Sequence, residues 1–395
     1  MKRVAWLGST ALLGAGMVAA NSAMAADGIK LGVGGFFRTA YMATFDDDSE
    51  GEPGNERNTD GVFSDAEIYF MGSTVLDNGL EVGARVELEG EDDDGVDFVG
   101  ESDDGDQIDE AWIYFSGGFG EVRMGSTDDA LAGACILPPG GTTNFSAFSP
   151  NQWGANTDGA AAFPALSSNA ACVGVDDRED AQKLVYISPV FGGFQLTASY
   201  TPSGGDERHG DGVGAHIGMP TNDDAESRHN FSAYGTYSYE GDGWGLTAGA
   251  GGSFEGHVEQ SSGPDRDEQQ FYQTGLNLTF GQFSIGGTFE YFNNLEALDP
   301  GPDVDAWVAG GGIAYTLDAW TFGAQYSHQL AEVDGGGNDD FTMDRAVLTA
   351  NYALGPGINL DGEVGYTWTD SDPETAVDVD DYDGLEIGIG TAITF

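Results

Sequence analysis

The sequence predicts an all-β fold: a membrane-spanning antiparallel up-and-down barrel of sixteen strands. Three observations carry this expectation. Apolar residues alternate with small or polar ones at period two, as in Leu385, Ile387, Ile389, Thr391, Ile393 and Phe395 against Glu386, Gly388, Gly390, Ala392 and Thr394. The breaks between such segments are alternately short and long. After the first 25 residues no run approaches the roughly 20 apolar residues that a transmembrane helix needs, whereas a barrel strand crosses with about 10 alternating ones.

Taken in order, the chain opens with the basic Lys2 and Arg3, an apolar stretch over 4–20, and Ala23-Met24-Ala25. This reads as a cleaved secretory signal, residues 1–25, leaving 26–395 as one barrel domain. Strands are expected at 28–45, 60–76, 80–90, 106–116, 120–127, 181–189, 193–201, 228–240, 244–255, 268–280, 282–293, 304–317, 320–333, 341–354, 358–371 and 382–395. Every second break is a tight turn: Asp77-Asn78-Gly79, Gly117-Gly118-Phe119, Val190-Phe191-Gly192, Gly241-Asp242-Gly243, Gly281, Asp318-Ala319 and Gly355-Pro356-Gly357. Gly, Asn and Asp suit the positive backbone angles of such hairpins. The remaining breaks, 46–59, 91–105, 128–180, 202–227, 256–267, 294–303, 334–340 and 372–381, are longer and acidic. All connections of one kind therefore lie on one side, and the two sides meet different environments.

The strand faces agree. Ile358, Leu360, Val364, Tyr366 and Trp368 oppose Asn359, Asp361, Glu363, Thr367 and Thr369; Trp320, Phe322, Ala324 and Tyr326 oppose Thr321, Gly323, Gln325 and Ser327. A dry core would have to pair Asp361 and Glu363, whereas a wet lumen need not. Tyr291, Trp307, Trp320, Tyr366, Trp368 and Tyr382 gather near strand ends, as interfacial girdles require.

The formal charge is −54, and removal of Lys2 and Arg3 with the signal leaves eleven basic against 67 acidic residues, or −56. Nothing here would neutralise nucleic-acid phosphates, so DNA and RNA are excluded as partners. Such an acid excess focuses cations and repels anions at a channel mouth, which predicts cation preference.

Four stretches resemble the Gram-negative trimeric porins of general-diffusion type. They are the segment Asp109-Glu110-Ala111-Trp112-Ile113-Tyr114-Phe115-Ser116-Gly117-Gly118-Phe119-Gly120-Glu121-Val122-Arg123-Met124-Gly125, the segment Lys183-Leu184-Val185-Tyr186-Ile187-Ser188-Pro189 with Phe191-Gly192-Gly193-Phe194, the signal, and the alternating end closing on Phe395. The resemblance implies outer-membrane residence in a Gram-negative bacterium, a homotrimer set in outer-membrane lipid and lipopolysaccharide, and passive diffusion of small hydrophilic solutes and ions. It also implies a third loop, 128–180, folded into the lumen as a constriction, and makes Phe395 an assembly signal read by the barrel-assembly machinery. In the family a basic wall cluster faces acids on that loop. Here Arg38, Arg85, Arg123 and Lys183 are the wall candidates by face counting, and Asp128, Asp129 and Asp158 the loop candidates. The alternative is that the arginines neutralise lumen carboxylates such as Glu81, Glu87 and Glu121.

Both cysteines, Cys135 and Cys172, lie in 128–180, and an oxidising periplasm makes their disulfide the default. Closing a loop of this size stabilises by about 4 kcal/mol in the chain-entropy model. The bond either stiffens the constriction or merely secures a surface loop. The acidic runs around Asp92, Asp93 and Asp94 and around Asp380 and Asp381 are candidates for loop-bound Ca²⁺, although none has EF-hand spacing, and a solvated acidic rim is the alternative. No other cofactor is expected.

Enzymatic readings find little support. His209, His216, His229, His257 and His328 lack zinc-ligand spacing, and there is no G-x-S-x-G elbow. Two other classes remain: a secreted, acidic, Ca²⁺-dependent β-protein of structural or adhesive type, and a substrate-specific channel. A sugar channel would want an aromatic track in the lumen, for which only Phe36 and Tyr234 are counted as inward.

Overall fold

A computed structural model describes residues 28–46, 59–91, 108–148, 181–203, 228–256, 265–294, 298–299, 303–333, 339–371 and 383–395. Sixteen strands close into one antiparallel barrel. They are β1 (Lys30–Asp46), β2 (Asp60–Val75), β3 (Glu81–Glu91), β4 (Ile108–Gly117), β5 (Gly120–Ser126), β6 (Gln182–Ile187), β7 (Phe194–Ser203), β8 (Arg228–Gly241), β9 (Trp244–Glu255), β10 (Gln269–Phe280), β11 (Phe283–Asn293), β12 (Val304–Leu317), β13 (Trp320–Val333), β14 (Asp339–Gly355), β15 (Ile358–Ser371) and β16 (Asp383–Thr394). Each strand pairs with its sequence neighbours, and β1 pairs with β16. A two-residue ribbon, Asp265–Arg266 with Leu298–Asp299, lies outside the barrel sheet. No helix among the described residues is long and apolar enough to cross a membrane.

The alternation dictates the barrel's inside and outside. On β16, Leu385, Ile387, Ile389 and Ile393 are exposed while Glu386 is fully buried and Ala392 nearly so. The same holds on β1, where Leu31, Val33, Phe37 and Tyr41 point out and Arg38, Ala40 and Met42 point in. Exposed apolar side chains of this number on one continuous surface fit lipid, not water. The short turns carry the backbone angles their residues favour. Gly79 has φ 83°, and the non-glycine Asp318 reaches φ 53°. The register shifts twice beside the inward carboxylates Glu67 and Glu87: Gly90 of β3 is the extra residue opposite Ala66 and Glu67, and Asp109 and Glu110 of β4 together oppose Glu87 of β3. Bulges locally re-aim side chains.

The closing ladder between β1 and β16 runs from Asp46↔Gly384 to Phe36↔Thr394 and is extended by the last residue. The Gly35 amide donates to Phe395 O and the Phe395 amide to Gly35 O, both at 3.0 Å. With a closed ladder there is no free edge, which a bilayer demands. Gly35 has no room for a side chain: a Cβ there would lie 2.3 Å from the Glu67 carbonyl oxygen and 3.2 Å from the Phe395 ring. Gly35→Val is therefore expected to destabilise the closure seam by about 1–3 kcal/mol or more. A fall in the heat-modifiable, protease-resistant fraction on cold gels checks this, and an unchanged fraction would contradict the seam.

Candidate functional site

The segment 128–148 does not stand outside the barrel. It enters the lumen after β5 and lies along the inner wall. Its entry is a capped turn: the Asp129 carboxylate accepts from the Leu131 amide (2.7 Å) and the Ala132 amide (3.1 Å), and Leu131 O accepts from Ala134 and Cys135 (both 3.0 Å). Leu131 and Ile136 then pack into inward side chains of the far wall, among them Tyr234, Phe271, Phe292, Val308 and Met343. This sector of the interior is a dry core.

Beyond it the loop's backbone is held residue by residue. The Ala130 amide is shared by the Ser199 and Ser232 hydroxyls of β7 and β8 (3.2 and 3.1 Å). On β10, Gln273 donates to Ile136 O (3.0 Å) and Asn277 to Leu137 O (2.8 Å). On β13, Gln325 uses both ends of its amide: Nε2 donates to Pro138 O (2.9 Å), and Oε1 accepts from the Ser146 hydroxyl and the Ala147 amide (both 3.0 Å). Ser327 donates to Ala147 O (2.6 Å), Thr349 of β14 to Gly140 O (2.5 Å), and Asn144 to Asp361 of β15 (2.8 Å). Arg38 of β1 closes the circuit through Thr143 O (3.1 Å).

Glycine makes the close approach feasible. A Cβ at Gly275 would lie 2.2 Å from Ile136 O, at Gly312 1.9 Å from Pro139 O, and at Gly323 2.0 Å from Gly140 O. The loop thus runs from β5 the long way round to β1. The wall of β1–β5 faces it.

That wall carries the charge. Inward rings and guanidinium groups follow one another across it. The Arg38 guanidinium lies 5.9 Å from the Phe36 ring, and Phe36 lies 6.5 Å from Tyr69; Arg85 lies 3.9 Å from Tyr69 and 5.1 Å from Trp112, and Arg123 lies 5.6 Å from Trp112. Each arginine also has a carboxylate: Arg38 with Asp65 (2.5 Å), Arg85 with Glu87, and Arg123 with Glu121 (2.7 Å). A guanidinium held by a ring and a carboxylate cannot swing freely into the pore. Glu67, Glu87 and Asp109 bring carboxylate oxygens within 4.8 Å of one another, so the wall keeps an acid surplus.

The expected site residues divide accordingly. Arg38, Arg85 and Arg123 face the lumen on one connected strip, each beside an acid. Lys183 points inward but is only 3% exposed, with Nζ donating to Thr127 O under the loop entry. Asp129 is spent on capping. The Asp128 amide donates to Glu110 (2.5 Å); burial, and next Asp129, push the Asp128 carboxyl above its ordinary range, with Lys183 pulling the other way. Cys135 packs beside the dry core, and no free cysteine is found among the described residues. Asp158, Cys172, Asp92, Asp93, Asp94, Asp380, Asp381 and the signal lie outside the described residues.

Two readings of the lumen change. Asp361 and Glu363 are not bathed in water: both are nearly fully buried, Asp361 accepting from Asn144 and Asn351, and Glu363 from Arg345 (2.7 Å). Tyr234 is inward yet covered, at 1% exposure, whereas Tyr69 and Tyr114 join Phe36 as half-buried rings on the β1–β5 wall, with Trp112 buried between Arg85 and Arg123. Face counting alone could find these rings, but not which side of the lumen the loop would cover.

A closed sixteen-strand barrel, apolar outside and holding an inserted loop against one inner wall, is the build of an outer-membrane pore. The chain matches the Gram-negative porin family over residues 8–372 and belongs to it. It is 24% identical over 391 residues to a monosaccharide porin of Halomonas sp and to a major outer membrane protein of Halomonas elongata, in each case over 95% of this chain and 96% of the relative. Its fold is similar to an anion-selective porin from Comamonas acidovorans (TM-score 0.56, 17% identity, 93% of this chain and 100% of that one). It is likewise similar to OmpT of Vibrio cholerae in a trimer form (TM-score 0.59, 13% identity, 93% and 100%). The family and the outer-membrane relative place the chain in the outer membrane.

Gly323→Val is expected to lift the loop off β13 and push it into the open lumen, lowering single-channel conductance and raising its noise while the barrel still folds. Planar-bilayer recording checks this; wild-type conductance and noise would mean the loop does not border the path.

Proposed function

We propose that this porin is a water-filled channel for passive diffusion of small hydrophilic solutes and ions, with cation preference. The observation that carries the selectivity is the β1–β5 wall. Every arginine on its strip is matched by a carboxylate, and further inward acids, including Glu67, Glu81 and Glu110, remain in excess. With a chain charge of −54, this favours cations at mouth and constriction.

A second reading gains support from the rings on the same wall and from the monosaccharide porin among the relatives: a channel with preference for sugars, whose apolar ring faces stack on aromatic side chains. Arg85 already covers part of Tyr69 and Trp112, so a sugar would meet Phe36 and Tyr114 first.

Bilayer recording across a salt gradient tests both. A reversal potential of cation sign is expected, and Arg38→Gln, Arg85→Gln and Arg123→Gln combined should strengthen it. Anion sign in the wild type overturns the selectivity. Concentration-dependent blocking of the current by a hexose favours the sugar reading, and a current indifferent to hexose at high concentration removes it.

The processed form follows the same reading: cleavage after Ala25, a Cys135–Cys172 disulfide pinning the loop, barrel-assembly recognition of Phe395, and a homotrimer in contact with lipid and lipopolysaccharide. The trimer is supported by the apolar outer surface and by the trimer form known for OmpT. Intact-mass analysis of protein from outer membranes should give a chain beginning at Ala26 and two hydrogens lighter than the dithiol, with cross-linking to trimers. A retained N-terminus, free thiols or monomers only would each overturn the corresponding step.

A further inference from the structure

Beneath the far end of the inserted loop, four ionisable side chains are shut away from water on neighbouring inward positions of β14, β15 and β16. Arg345 and Glu363 are each 3% exposed, Asp361 2% and Glu386 0%. Arg345 reaches Glu363 Oε1 through Nη2 and Glu386 Oε2 through Nη1, both at 2.7 Å, and the Thr367 hydroxyl donates to Glu386 Oε1 at 2.9 Å. Asp361 accepts amide hydrogens from Asn144 and Asn351. Three carboxylates against one guanidinium leave a surplus of two negative charges. Arg38, on the adjoining β1, is committed to Asp65 and Thr143 O. A buried charge without compensation is strongly unfavourable.

A second observation points the same way. Glu363 Oε2, Asn144 Oδ1 and Asn351 Oδ1 are buried acceptors with no hydrogen-bond partner. Exchanging amide nitrogen and oxygen does not relieve this, because the Asp361 carboxylate requires the NH₂ end of both asparagines. Their oxygens are thus the buried ends of amides whose nitrogens are already committed to that carboxylate. Asn144 belongs to the inserted loop and rests on Gly390, which is paired with Asp361, while Glu363 is two residues further along the same face.

We infer that this pocket seats a hard divalent cation of the calcium type, held by the carboxylates of Asp361 and Glu363 and the amide oxygens of Asn144 and Asn351. The surplus charge equals that of the ion, and hard cations take carboxylate and amide oxygens. An irregular set drawn from one loop and two strands suits Ca²⁺ better than Mg²⁺, which demands near-octahedral geometry. The seat is separate from the acidic outer loops. Since Asn144 is a loop residue and the others belong to the wall, the ion ties the loop's far end to the barrel.

Burial separates this ion from any that the outer loops hold, because it exchanges slowly. Folded protein is loaded with Ca²⁺, gel-filtered into metal-free buffer and analysed by elemental mass spectrometry. About one Ca²⁺ per chain should remain in the wild type. None should remain in Glu363→Gln or in Asn144→Ala, a loop change that leaves the barrel wall intact, with heat-modifiable mobility confirming that both fold. In bilayers, chelator should raise wild-type current noise to the level of Asn144→Ala and added Ca²⁺ should quiet it, with no such response in the variant. Retention of no ion by the wild type after loading with Ca²⁺, or equal retention by wild type and variants, overturns the seat; water or protons then serve these oxygens.

Discussion

A peptide chain inside a barrel must settle its own backbone groups, and the rest of this structure follows from how that is done. Buried carbonyl and amide groups without partners are costly. The inserted loop meets this by lying flat on the wall, where Gln273, Asn277, Gln325 and Thr349 supply donors to Ile136, Leu137, Pro138 and Gly140 in succession. Flatness requires the absence of side chains beneath, hence Gly275, Gly312 and Gly323. The loop's conformation is written as much in the strands below it as in its own residues. The two apolar anchors, Leu131 and Ile136, add a small hydrophobic core inside what is otherwise a channel.

The same arrangement divides the lumen. Where the loop lies, side chains are the apolar cluster around Leu131 and Ile136, then amides, hydroxyls, glycines and a few deeply paired ions. On β1–β5, which the described residues 128–148 leave largely uncovered, the inward side chains are guanidinium groups, carboxylates and rings. A solute therefore encounters one wall of fixed charge and one of polypeptide backbone. The arginines on the charged wall are stacked on Tyr69 and Trp112 and paired with acids, so they supply shape and local dipoles more than net positive charge.

Much of this was legible in the sequence. Alternation, turn chemistry and the long–short rhythm of the breaks place β9, β12, β13 and β15 to the residue and the other twelve strands within two, because the period-two pattern is imposed by lipid on one side alone. Face counting puts Arg38, Arg85 and Arg123 on one inner wall. What it could not show was the loop's course. Gly310-Gly311-Gly312 and Gly388-Ile389-Gly390 read equally well as lumen lining or as a bed for another segment, and only the fold shows that segment resting there. For the same reason Asp361 and Glu363 read as solvated acids: a strand pattern tells inside from outside, but not wet inside from dry.

That distinction bears on how salt should act on the channel. Charges on the open wall interact through water and are screened over about 8 Å at physiological ionic strength and about 3 Å at 1 M. Any selectivity they impose weakens as salt rises. Arg345, Glu363 and Glu386 are buried away from bulk water, and screening by salt weakens their mutual pairing much less. The loop itself is held mainly by hydrogen bonds to neutral side chains, Gln273, Asn277, Gln325 and Thr349 among them, on which screening by salt has little effect. The barrel interior thus holds two sets of charges, a dry one on β14–β16 and a more accessible one on β1–β5, and salt acts on them differently.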